Sequence, residues 1–301
     1  MFLSQVNLSR KDFLKYLLGS FLVIIFNILG QIPLFVYLVS QSLLDQELSD
    51  PNEIFSLIPS NTGLFLMLLP FAISLLGLWF ILKKLHQQDM RIVATSRDSI
   101  DWSRVFFSFA IWGFLSSVII LSGYIISPED YEINFKLTPF LILACIAVIL
   151  IPLQTSFEEY LFRGYLMQGF AGLFRNRWAP LFMTSIIFGC LHLANPEVGK
   201  LGYNLVWWYM GTGFVLGIMT LMDEGIELAL GVHASNNLFA ALLVTADWTV
   251  FQTESILKYT GEPSLSKELI LSFIIFYPLL LFIFYKKYKW SDFKSRLFGK
   301  L

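Results

Sequence analysis

Apolar residues arrive in long blocks separated by short polar stretches. Eight runs predict membrane-crossing helices: residues 14–40, 63–83, 105–127, 138–167, 179–194, 201–222, 226–246 and 268–286. A span needs roughly 20 mostly apolar residues to cross the hydrocarbon layer. The fifth run is short, and the seventh is polar for a span. No repeat, low-complexity tract or separately folding soluble domain stands out. The pattern predicts an all-α, polytopic protein forming one membrane domain. Its parts are three accessory spans over 1–137, a four-span core over 138–246, and a last span with a basic tail over 247–301.

The loops between the runs predict an orientation. Basic residues favour the cytoplasmic side. Arg10, Lys11 and Lys15 precede the first run, whereas the 41–62 loop carries Asp45, Glu47, Asp50 and Glu53 and no Lys or Arg. The 84–104 loop is basic again (Lys84, Arg91, Arg97, Arg104), the 128–137 loop has only Lys136, and the tail is rich in Lys. Both chain ends are therefore expected on the cytoplasmic side of a cell membrane. Trp102, Trp178 and Trp290 fall where an aromatic belt is expected. The 84–104 loop reads as a solvated connector. His86 is placed in it.

Composition agrees with the pattern. Hydrophobic residues make up 56% of the chain, charged residues 14%, and 30 residues are Phe. This excludes a soluble globular enzyme and a nucleic-acid-binding domain. Cys145 and Cys190 both lie in apolar runs, so no disulfide framework is implied. The first run is too long for a signal peptide and reads as a true span.

Against this background a few polar residues stand out. Ser156–Gly164 reads S-F-E-E-Y-L-F-R-G at the end of a very apolar run. Glu159 and Arg163 are four apart and share a helix face, with the acid N-terminal to the base as favoured. Glu158 points elsewhere and needs a partner on another helix, which marks it as the chemical carboxylate of the two. Phe188 and His192 are four apart on the fifth run, and His233 and Asn237 four apart on the seventh. Polar groups inside a membrane face one another or a water-filled cavity. One cluster of Glu158, Glu159, Arg163, His192, His233 and Asn237 is therefore expected. Pro152, inside the fourth run, is expected to kink it and open space beside the carboxylates.

Such a cluster suits peptide hydrolysis by an activated water. Glu158 with His192 would polarise the water, and His233 with Asn237 would donate to the tetrahedral oxygen. Cys190 faces away from His192 and is no nucleophile candidate. Two His and a Glu also form a zinc-type set, so Glu158, His192 and His233 are the candidate ligands of a divalent metal. The sequence leaves open a metal or a metal-free, glutamate-activated water. His192 looks too deep in its run to meet Glu158 and His233 unless the fifth helix starts further in or tilts. On the sixth run Gly213 and Gly217 form G-x-x-x-G, a close-packing face. Asp223, Glu224 and Glu227 read as caps at the start of the seventh helix.

E-E-Y-L-F-R, F-G-C-L-H and H-A-S-N-N, in this order and spacing, resemble the three motifs of the CPBP family of CAAX proteases and bacteriocin-processing enzymes, also called Abi. The resemblance covers about 138–246. It implies an intramembrane endopeptidase related to type II CAAX prenyl proteases. It assigns water activation to Glu158 and His192, the oxyanion hole to His233 and Asn237, and support to Glu159, Arg163 and Phe188. Membrane lipid and a protein or lipidated-peptide substrate are the partners implied. Two rivals remain at this stage. One is a proton-coupled transporter, since Glu, His and Arg also build proton relays. The other is a non-catalytic scaffold or immunity-type protein.

Overall fold

The structure, a computed structural model, describes residues 2–8, 13–45, 57–262 and 272–301. Arg10, Lys11, Glu47, Asp50, Glu53, the side chain of Asp45 and the start of the eighth run at 268–271 lie outside the described residues. The architecture is all-α. The frame consists of α1 (Phe13–Ser40), α2 (Ser60–His86), α3 (Trp102–Ile126), α4 (Leu137–Phe174), α5 (Trp178–Leu191), α6 (Leu205–Asp223), α7 (Glu227–Leu243) and α8 (Tyr277–Tyr288). Among the described residues, α1 to α4 and α6 are the five helices long and apolar enough to cross a membrane, and Trp178–Ala194 is a shorter apolar helix.

α7 sits at the centre, packed against α3, α4 and α6, while α1 and α2 lie against one another and α2 against α4. Every residue from Glu227 to Ser235 is buried. This accounts for the polarity of the seventh run: its neighbours are protein, and a helix enclosed by protein need not be apolar all round. Gly213 and Gly217 of α6 face α5. A Cβ on Gly217 would lie 2.4 Å from Leu181 Cδ1, and one on Gly213 3.0 Å from Ser185 Cα. The close-packing face expected there is present.

A small sheet closes one end of the bundle. Its order is β1 (Tyr131–Ile133), β3 (Leu257–Tyr259), β2 (Val244–Thr245). β1 pairs antiparallel with β3 in the register Tyr131↔Tyr259, and β2 pairs parallel with it. Arginines gather at the opposite end. The backbone N–H of Phe2 donates to the Glu224 carboxylate, and Arg296 reaches the same carboxylate at 3.4 Å. Both described terminal segments thus meet at the α6–α7 turn.

Three expectations need correction. The 84–104 connector is docked rather than solvated: Val93, Ala94 and Thr95 are fully buried. Its apolar Ile92-Val93-Ala94 step turns inward, and the buried carbonyls are satisfied. Ile92 O accepts from Gln168 Nε2 at 2.8 Å, and Ala94 O accepts from the Ile226 N–H at 2.7 Å. Unpaired, these carbonyls would each carry a desolvation cost. His86 is not a loop residue either. It ends α2, is 2% exposed, and its Nε2 lies 2.9 Å from the Tyr165 hydroxyl. Finally, the acids at the α6–α7 turn form ion pairs instead of caps. No side chain caps α7. Arg97 reaches Asp223 at 3.0 Å and Glu227 at 3.1 Å, and Arg104 reaches Asp223 at 2.7 Å.

The docked connector makes Gly164 intolerant of a side chain. A Cβ there would lie 2.5 Å from the Val93 carbonyl oxygen, a backbone atom that cannot rotate away. Gly164→Ala is expected to cost about 1–3 kcal/mol through overpacking. Unfolding in detergent micelles checks this; an unchanged midpoint would show that the connector yields.

Candidate active site

The site grows from one stretch of α4. Glu158, Glu159 and Arg163 are all buried. The helix continues through Pro152, and its irregularity comes later, as a wide i→i+5 turn over Tyr160–Leu166. Such widened turns recur at functional sites, because the extra residue re-aims neighbouring side chains. The widened turn thus lies just after the carboxylates, eight residues beyond Pro152.

Glu159 and Arg163 pair at 2.8 Å, as their spacing predicts. The same oxygen, Glu159 Oε1, lies 2.6 Å from His233 Nδ1. A carboxylate can only accept, so His233 Nδ1 carries a proton and Nε2 is the nitrogen left for chemistry. That Nε2 is 3.7 Å from Glu158 Oε2. Glu158 uses its other oxygen, Oε1, to accept from Gln154 Nε2. Oε2 has no hydrogen-bond partner among the described residues, although it is buried.

Gln154 links two of the expected residues. Its Oε1 accepts from Asn237 Nδ2 at 3.1 Å. Asn237 Oδ1 accepts from Asn236 Nδ2 at 3.1 Å, and Asn236 Oδ1 from Trp112 Nε1 at 3.1 Å. This chain of amides, from α3 through α7 to α4, fixes the orientation of Asn237 and leaves one N–H of its Nδ2 uncommitted. None of Gln154, Asn236 and Trp112 was singled out by sequence. The available signal was Gln154 itself, an amide in an apolar run one helical turn before Glu158.

His192 ends α5. Its Nδ1 donates to the Phe188 carbonyl at 2.7 Å, which fixes the tautomer and leaves Nε2 as an acceptor in the neutral ring. The ring stacks on Tyr209 at 4.4 Å and 26°, another residue sequence reasoning missed. The Phe188 ring centroid is 4.5 Å from that of His192 and 6.0 Å from that of His233, and Arg163 Cζ lies 4.3 Å from it. Phe188 therefore packs against both imidazoles and the guanidinium.

The depth mismatch anticipated for His192 disappears because α4 is longer than its apolar run. α4 has 38 residues and ends at Phe174. Glu158 lies 16 residues before that end, about 24 Å, and His192 lies 14 residues after Trp178, about 21 Å. Across the α4–α5 turn the two side chains come level. Glu158, His192, His233 and Asn237 all line one cavity of about 570 Å³, with Gln154, Phe188 and Tyr209. Cys190 is exposed on the outer surface, as expected.

Among the described residues no group of three or more His, Cys, Asp or Glu side chains is placed to hold an ion. The Nδ1–H of each imidazole is committed to an oxygen, Glu159 for His233 and the Phe188 carbonyl for His192, and each Nε2 is left free.

Residues 135–239 match the family model described as type II CAAX prenyl endopeptidase Rce1-like. All seven residues singled out by motif fall inside that segment. A relative from Bacillus subtilis (strain 168), described as uncharacterized protein YyaK, is 34% identical over 209 residues, or 67% of this chain. The match spans 65% of that relative's length. No solved structure matches. The resemblance carried by the three motifs thus holds for an Rce1-like segment spanning α4, α5, α6 and most of α7.

Proposed function

We propose that the protein is an intramembrane endopeptidase, embedded in a cell membrane through eight spans with both ends in the cytoplasm, that hydrolyses a peptide bond near the cytoplasmic face. A protein or lipidated peptide is the substrate class. The match to an endopeptidase family supports the reaction type. One observation carries the assignment of residues: Glu158 holds a buried oxygen, without a hydrogen-bond partner among the described residues, 3.7 Å from His233 in a cavity that also takes in His192 and Asn237.

In this reading water sits between Glu158 Oε2 and His192 Nε2, both acceptors. Glu158 removes a proton as the water oxygen bonds to the scissile carbonyl carbon. The oxygen that becomes negative takes hydrogen bonds from the uncommitted N–H of Asn237 and from His233 Nε2. Because Nδ1 is committed to Glu159, His233 donates from Nε2 only as the doubly protonated ring, so Glu159 serves as counter-charge as well as partner to Arg163. Glu158 then passes its proton to the departing amine as the C–N bond breaks. Preorganised donors of this kind are worth about 10²–10³-fold each in rate.

The test compares peptide termini in cells carrying the wild-type protein and His192→Ala. New termini that appear only with the wild type, from membrane-associated proteins, are the expected result. Identical sets of termini, with both proteins present in the membrane at equal levels, would sink the reading.

A further inference from the structure

The cavity also reaches residues that the proposed chemistry does not use. It is lined by Glu197 on the short Pro196–Leu201 helix, by Trp208, Tyr209 and Thr212 on α6, and by Tyr277 on α8. Glu197 Oε1 accepts from the Val250 N–H at 3.0 Å. That bond explains one oxygen as an anchor for the 246–253 loop. It leaves Glu197 Oε2, which is buried with no hydrogen-bond partner among the described residues, and Trp208 Nε1 is buried without one too. Burial raises the Glu197 carboxyl above the ordinary carboxylate range, against the lowering effect of the Val250 N–H.

Charge and shape agree on what belongs there. Among the described residues lining the whole cavity, two are Glu and none is Lys or Arg. The cavity walls include aromatic faces held in place: Trp112 stacks on Tyr277 at 5.0 Å and 13°, and the Tyr277 hydroxyl lies 3.1 Å from Thr212 Oγ1. A carboxylate and Trp and Tyr rings in one cavity are chemistry suited to holding a cation. Asn195 Nδ2 donates to the Tyr209 hydroxyl at 3.3 Å, and the Tyr209 ring stacks on His192. Tyr209 thus links this part of the cavity wall to the proposed water site.

We propose that Glu197, in the cavity that Trp208, Tyr209 and Tyr277 also line, is a specificity subsite for a positively charged side chain, Lys or Arg, on a substrate residue flanking the cut. The proposal rests on the endopeptidase reading for the word substrate, but its geometry does not depend on cleavage. Trp208 Nε1 supplies a donor for a carbonyl of the same peptide. The cation replaces the partner that Glu197 Oε2 lacks.

Binding measured without turnover tests it. The Glu158→Gln protein in detergent micelles is titrated with a short neutral peptide amide into which a single Lys, or norleucine as its neutral counterpart, is walked position by position. At one position Lys is expected to bind about 10- to 100-fold more tightly than norleucine, as a charge-assisted hydrogen bond gives. A further Glu197→Gln substitution, which keeps an acceptor for Val250, is expected to remove that difference. Equal affinities at every position in the Glu197-containing protein, or no binding of any peptide, overturn the proposal. So does a Lys preference that survives Glu197→Gln. A protein that selects Lys through Glu197 but, with Glu158 restored, cleaves none of the peptides would count against the endopeptidase reading alone.

Discussion

Glu158→Gln is expected to lower the cleavage rate by at least about 10²–10⁴-fold, the range supplied by a positioned general base. The substitution is nearly isosteric. Its amide oxygen can still accept from Gln154, so the chain Gln154–Asn237–Asn236–Trp112 stays intact. What is lost is the ability to take a proton. The variant should keep the unfolding midpoint of the wild type in the same detergent while its single-turnover rate collapses. A variant that cuts within a few-fold of the wild-type rate would remove Glu158 from the chemistry. A variant that is both inactive and unfolded would instead point to a structural carboxylate.

Glu159→Ala should have the largest effect on stability. Arg163 is 1% exposed, and its 2.8 Å pair with Glu159 is its one carboxylate ion pair among the described residues. Removing one member of a buried ion pair typically costs about 3–5 kcal/mol, because the other charge is left without compensation. Glu159→Ala also deprives His233 Nδ1 of its acceptor. The double variant Glu159→Ala, Arg163→Met removes the orphaned charge, and its loss is expected to be smaller than the sum of the single losses. Denaturant unfolding in micelles gives the three numbers. Additive losses would mean that the pair is not coupled. His233 has no acceptor in either Glu159 variant, so activity is expected to stay low even where the double substitution restores stability.

The sequence made the within-helix geometry legible and the between-helix geometry much less so. Glu159 with Arg163 and Phe188 with His192 are each one helical turn apart, and the structure shows both contacts. A spacing of four is a local statement, and the helix enforces it wherever the helix goes. That His233 shares Glu159 with Arg163 could not be read in this way, since it depends on how α7 crosses α4. Gln154 and Tyr209 were overlooked for the same reason: one amide in an apolar run, or one aromatic among many, acquires meaning only from what faces it. The 84–104 stretch misled because its polar residues outnumber its apolar ones. The few apolar positions, with two buried carbonyls, decide where it lies, and Arg97 spends its charge on Asp223 and Glu227 rather than on water. The strands escaped notice because each is only two or three residues long.

The enclosure of α7 has a consequence for how the protein is made. A segment carrying Glu227, His233, Asn236 and Asn237 is poorly suited to partition into lipid by itself, since ionisable and amide groups at that depth are costly until they find partners. Those partners are Arg97 in the connector, Trp112 on α3 and Gln154, Glu158 and Glu159 on α4, all synthesised earlier. During biogenesis the later helix has to be accepted by an assembly of older ones. Nascent chains lacking residues up to Ile126 should leave this segment outside the bilayer, a topology that glycosylation-site mapping would reveal.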